Sequence, residues 1–99
     1  MSHTKPAFMI FNVTVTDPEG IKPYLAKVAE TLKTYHAQLL VQAAESITLE
    51  GSAPAGQTII LRFDNIEIAQ AWYHSVEYQE IIHYRLASAI THSWVVEGV

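Results

Sequence analysis

The hydrophobic pattern opens with Ala7-Phe8-Met9-Ile10-Phe11-Asn12-Val13-Thr14-Val15. This run is rich in β-branched and aromatic residues and is closed by Asp17-Pro18-Glu19-Gly20, which predicts a strand. Phe8 and Ile10 fall on one face and Met9, Phe11 and Val13 on the other, so that only Asn12 and Thr14 interrupt an apolar surface on both sides. Such a strand is buried on both faces. Asp17-Pro18 has the form of a helix N-cap with proline at the first position, but Pro23 lacks a donor that the helix would use and moves the predicted start to Ile21. From there Ile21, Tyr24, Leu25, Val28, Ala29, Leu32 and Tyr35 repeat at helical spacing, with Lys22, Lys27, Glu30 and Lys33 on the opposite face.

Gln38 to Ala44 reads as a second strand, with Ser46 to Glu50 continuing it or folding back as a hairpin. Gly51 to Gly56 is a loop. Thr58 to Phe63 is a third strand, again apolar on both faces. Asp64 with Glu67 has the spacing of a capping box, which predicts a helix from Asn65 to His74. Ser75 is a second N-cap, opening a helix from Val76 to about Ala89, and His92 to Glu97 closes the chain as a strand. The order βαββαβ predicts an α+β fold: a ferredoxin-like sandwich of one antiparallel sheet with helices on one face, formed by residues 1–99 as a single domain. Helices cover one face only, yet the first and third strands are apolar on both. The second face therefore needs a partner, and a homodimer joined through the sheet faces is the simplest solution.

Composition narrows the function classes. Charged residues make up 16% of the 99 residues, well below the usual ~25%, which excludes a disordered chain and implies additional buried surface. A net charge of −4 with only six basic residues argues against nucleic-acid binding. The absence of cysteine removes disulfides, thiolate metal sites and thiol chemistry. No apolar run reaches a membrane span and Met1 to Pro6 is not a signal peptide, so a cytoplasmic protein with no membrane partner is expected. His3, His36, His74, His83 and His92 show no metal-ligand spacing, so neither a metal nor a cofactor is expected.

Arg85 is the most informative candidate. With Tyr78, Ile81, Ile82, Leu86 and Ala89 it forms one face of the last helix, and a guanidinium in an apolar stripe must be paired or must snorkel to solvent. It is either half of an ion pair with Glu50 or Glu97, or a fixed cation for a carboxylate or enolate oxygen. Trp72 and Tyr73, about 100° apart on a helix, place one ring in the core and the other at a cleft edge. Tyr78 or Tyr24 near Arg85 would be a proton donor. Asn12 and Arg62 break apolar strands, either as polar groups in a ligand cavity or as satisfied interface groups.

Val15-Thr16-Asp17-Pro18 with Tyr24, Leu49-Glu50-Gly51, Leu61-Arg62-Phe63, Arg85 and Val96-Glu97-Gly98-Val99 together resemble the family called domain of unknown function 1330. The densest likeness is Ala69-Gln70-Ala71-Trp72-Tyr73-His74-Ser75-Val76-Glu77-Tyr78-Gln79. The resemblance covers nearly the whole chain and implies a dimeric α/β barrel. Where that family usually carries a glycine pair after the first helix, this chain has His36-Ala37-Gln38, which marks His36 as a candidate near the barrel end. The expected function is small-molecule binding, with two forms open. One is a cofactor-independent enzyme, monooxygenase- or isomerase-like, acting on a small anionic or aromatic metabolite, with Arg85, Tyr73 and His36 as catalytic candidates and Arg85, Tyr73, Trp72, Tyr78 and Asn12 as ligand contacts. The other is a non-catalytic structural or ligand-binding dimer.

Overall fold

The structure, a computed structural model, describes residues 4–99; the fraying expected at His3 lies outside them. The elements run β1 (Ala7–Val15), α1 (Lys22–Thr34), β2 (Gln38–Ala44), β3 (Gln57–Phe63), α2 (Ile66–Tyr73), α3 (Val76–Ser88) and β4 (Ala89–Glu97). The four strands form one sheet in the order β2-β3-β1-β4, and every pairing is antiparallel. This is the expected ferredoxin-like α+β fold.

Strand alternation assigns the two faces. Ala7, Met9, Phe11 and Val13 of β1 join Leu61 and Phe63 of β3 in the core, against Ile21 at the start of α1, Tyr24 of α1, Ala69 and Trp72 of α2, and Tyr78, Ile81 and Ile82 of α3. On the opposite face Phe8 lies between Arg62 and Val96, and Ile10 between Ile60 and Trp94. Ile90 remains 60% exposed there and Trp94 50%. The two-sided pattern of β1 and β3 is therefore real, with one face covered by helices and the other open.

Several local expectations are corrected. Asp17 does not cap α1. Its carboxylate accepts from Gly20 N at 3.1 Å and its carbonyl from Ile21 N at 3.2 Å, shaping a turn ahead of a helix that has no side-chain cap. The cap of α2 is Asn65 rather than Asp64: Asn65 is extended and its Oδ1 accepts from Ile68 N at 2.8 Å, while Asp64 faces Arg62 at 3.6 Å. Ser75 caps α3 as expected, accepting from Tyr78 N at 3.2 Å. Ser46 to Glu50 forms no strand. The register of β2 slips twice against β3, with Ala43 at φ 48° within the second slip, and the pairing ends with Ala44 opposite Thr58. Leu25 and Leu86, placed on buried faces by helical spacing, are exposed. Thr31 and Ser88 are buried in the corresponding helices instead.

α1 ends in a Schellman turn. Ala37 N reaches Leu32 O and His36 N reaches Lys33 O, each at 3.1 Å, with His36 at φ 56°. Histidine thus occupies the left-handed position that glycine fills most easily.

Candidate functional site

Arg85 is brought into the interior by the stripe Tyr78, Ile81, Ile82, Arg85 and Ser88 of α3, and it is 3% exposed. The expected ion pair with Glu50 or Glu97 does not form. Arg85 Nη2 instead donates to the Tyr78 hydroxyl at 3.3 Å, and that hydroxyl meets the Tyr24 hydroxyl at 2.8 Å. The guanidinium carbon lies 5.5 Å from the ring centres of both Phe11 and Tyr24. A cation held by aromatic faces and one neutral hydroxyl is stabilised less than one paired with a carboxylate. Arg85 Nε has no hydrogen-bond partner, and neither has Thr91 Oγ1.

The electrostatics of the three groups are coupled. Burial lifts the Tyr24 hydroxyl far above its ordinary range, and Tyr78 lifts it further against the pull of Arg85. Burial also raises Tyr78, with Arg85 opposing. Burial works against the charge of Arg85, yet the oxygens of Tyr78 and Tyr24 outweigh it and hold the guanidinium above its usual value. Near neutrality the set is one cation and two protonated phenols, able to donate hydrogen bonds and to hold a proton in place.

Trp72 and Tyr73 divide their roles as the helical angle requires. Trp72 is fully buried, stacked 4.1 Å from Tyr78, and its Nε1 donates to Thr31 Oγ1 at 3.0 Å. Tyr73 packs 5.5 Å from Tyr78 on one side and lines a cleft on the other. That cleft, of about 180 Å³, lies where α2 ends against the edge strand β4 and is lined by Met9, Gln70, Tyr73, His74, Ser93, Trp94 and Val95. One tyrosine ring therefore separates the cleft from the ring that bonds Arg85.

The other candidates lie apart from this cleft. Asn12 faces the open side of the sheet, where its amide donates to Gly56 O at 3.2 Å and accepts from Gly56 N at 2.9 Å. Both of its functions are thereby occupied by the end of the loop, and a Cβ at Gly56 would collide with the Val13 carbonyl. A larger groove of about 440 Å³ lies beside that loop, lined by Val13 to Val15, Glu45, Ser46 and Ala53 to Gln57. His36 is exposed in its turn and lines neither cleft. His74, not singled out among the histidines, lines the cleft and packs edge-on against Tyr73 at 5.3 Å. Gln70, Ser93 and Trp94 also escaped sequence reasoning, because only the docking of α2 against β4 brings them together. Among the described residues no group of three or more His, Asp or Glu could hold a metal ion, and no helix is long and apolar enough to cross a membrane.

The fold recurs in solved structures of low sequence identity. A protein of unknown function from Rhodopseudomonas palustris superposes with a TM-score of 0.75 at 13% identity, covering 98% of this chain and 85% of that one. The cofactor-independent oxygenase SnoaB from Streptomyces nogalater gives 0.66 at 9% identity, covering 94% and 92%. A protein from Arabidopsis thaliana gives 0.61 at 12% identity, covering 94% and 93%. At these identities the likeness is one of fold, that of the ferredoxin-like unit of dimeric α/β barrels. No curated protein matches the sequence. Residues 6–99 match the family described as domain of unknown function (DUF1330), and the chain belongs to that family.

Proposed function

We propose that the chain is a small-molecule-binding protein that works as a homodimer joined through the open sheet faces, with its ligand in the cleft beside Tyr73. The observation that carries this reading is the position of Tyr73, which lines the cleft while packing on Tyr78, the residue that bonds Arg85. An anionic ligand in the cleft would feel a buried cation two rings away, behind Tyr73 and Tyr78, through a protein interior that screens charge less than water does. The open face, with Phe8, Ile10, Ile60, Ile90, Trp94 and Val96, supports the dimer, because an apolar surface of this kind is covered in a stable protein.

In its enzymatic form the reading is cofactor-independent and monooxygenase- or isomerase-like. The ligand's own acidic group would be stabilised as an anion by the field of Arg85 behind Tyr73 and Tyr78, and Tyr73, the phenol that lines the cleft, would position the proton. The fold shared with SnoaB supports this form by analogy of architecture. Titration of small aromatic and carboxylate metabolites with thermal unfolding as readout tests the binding claim. A ligand of the native dimer raises the melting temperature in proportion to the logarithm of its concentration. A flat response to every metabolite, at concentrations up to the millimolar range, would overturn the reading.

A second reading, a non-catalytic structural dimer, is favoured by the filled helix–sheet interior, where Trp72, Tyr78 and Phe63 are completely buried. Oxygen uptake or isomerisation of a bound ligand by the purified protein separates the two.

A further inference from the structure

We infer that the cleft between α2 and β4 takes a ligand with a single aromatic ring carrying a hydrogen-bonding substituent, an inference that rests on the small-molecule reading above. Size sets the first limit. About 180 Å³ is slightly more than the roughly 150 Å³ of apolar cavity that holds benzene, so the open cleft has room for one six-membered ring with a substituent and leaves any fused ring in water. The lining sets the second. Tyr73 presents an aromatic side chain, which favours the faces and edges of another ring over a saturated one, Met9 adds a polarizable thioether, and Trp94, whose cross-strand neighbour is Ile10 of the open face, borders the cleft at the strand edge. Gln70, His74 and Ser93 supply the polar groups that would fix a hydroxyl or carboxylate.

Trp94 gives the cleft its own reporter, because it is 50% exposed whereas Trp72 is fully buried. Its cross-strand neighbour on the open face is Ile10, so the cleft reaches round the edge of the sheet toward the surface proposed to join two copies.

Calorimetric titration of the intact protein with 4-hydroxybenzoate, cyclohexanecarboxylate, 2-naphthoate and acetate tests the inference. The expected result is one 4-hydroxybenzoate per chain, with cyclohexanecarboxylate weaker by about two- to tenfold, as loss of aromatic pairing implies, and no gain from the second ring of naphthoate. Ser93→Leu, at an exposed position that would fill the cleft, should abolish binding with melting unchanged. Should that variant fold poorly, Gln70→Trp on the exposed side of α2 is the alternative block. Binding of 4-hydroxybenzoate that survives both blocks, or equal binding of the saturated acid, would overturn the inference. Equal binding of saturated and aromatic acids that Ser93→Leu still removes leaves the small-molecule reading intact and rejects the ring preference. Absence of binding by all four probes rejects the ring preference, and the small-molecule reading falls with it only if the wider metabolite titration is also flat.

Discussion

The hydroxyls of Tyr24 and Tyr78 meet at 2.8 Å although 54 positions separate them in the chain, and Arg85 reaches the second at 3.3 Å. This contact joins α1 to α3 beneath the sheet and places the one buried cation of the described core against neutral oxygens and aromatic faces. It also fixes the protonation of both phenols, because burial raises each above the ordinary tyrosine range.

Stability should therefore fall in alkali. In the unfolded chain both tyrosines ionise near pH 10, whereas in the native state both retain their protons to higher pH. The stabilisation is present in full below pH 10 and is lost as pH rises through the native values. Phenolate absorbance followed alongside circular dichroism should show these two groups ionising together with unfolding. Complete tyrosine ionisation near pH 10 in a still-folded protein would contradict this.

Thr31→Val should destabilise the protein by about 1–2 kcal/mol, because the buried Trp72 Nε1 loses its acceptor while the side-chain shape is kept. Thr31→Ser should restore most of the loss. Urea unfolding of the two variants provides the comparison, and equal stability of the valine variant and wild type would refute the role of this bond.

His36→Gly should stabilise by about 0.5–1 kcal/mol, since φ 56° costs a residue with a Cβ roughly 1–2 kcal/mol and glycine returns part of that as unfolded-state entropy. If chemical denaturation shows a loss instead, His36 makes a contribution beyond its turn.

Ile60→Glu should convert a dimer into monomers. Ile60 lies opposite Ile10 on the open face, away from the helix-covered core, so a charge there opposes association more than folding. Sedimentation of wild type at twice the 11.1 kDa chain mass, and of the variant at the single mass, is the expected result. A wild-type monomer whose stability is unaffected by dilution would contradict the proposed dimer.

Strands β1 and β2 were legible in sequence to their end residues, β1 as a β-branched and aromatic run bounded by turn residues and β2 as a short apolar run following the first helix. The start of β4 was not. Ala89, Ile90 and Thr91 can continue a helix or begin a strand, and their pairing with Val15, Thr14 and Val13 decides the matter through a distant segment. The same holds for the site. Helical spacing placed Arg85 inside and separated Trp72 from Tyr73, but the partner of Arg85 is another tyrosine rather than Glu50 or Glu97. Periodicity states which face a residue occupies and not what packs against it. Thr31 illustrates this: its spacing from Tyr24 and Val28 puts it on the buried face, but only the packing of α2 shows that its hydroxyl accepts from the Trp72 indole.

We propose that Arg85 is held for a ligand rather than for stability, and Arg85→Met is the variant that decides between the two. No carboxylate is left behind when the guanidinium is removed, Tyr78 keeps its bond to Tyr24, and methionine refills much of the volume. Replacing a buried charge by an apolar side chain is then close to neutral, and the melting temperature should change by the equivalent of less than about 1 kcal/mol or should rise. Binding of anionic aromatic ligands should weaken by roughly tenfold through loss of a nearby charge. A marked fall in melting temperature with ligand binding unchanged would show instead that Arg85 serves the fold alone.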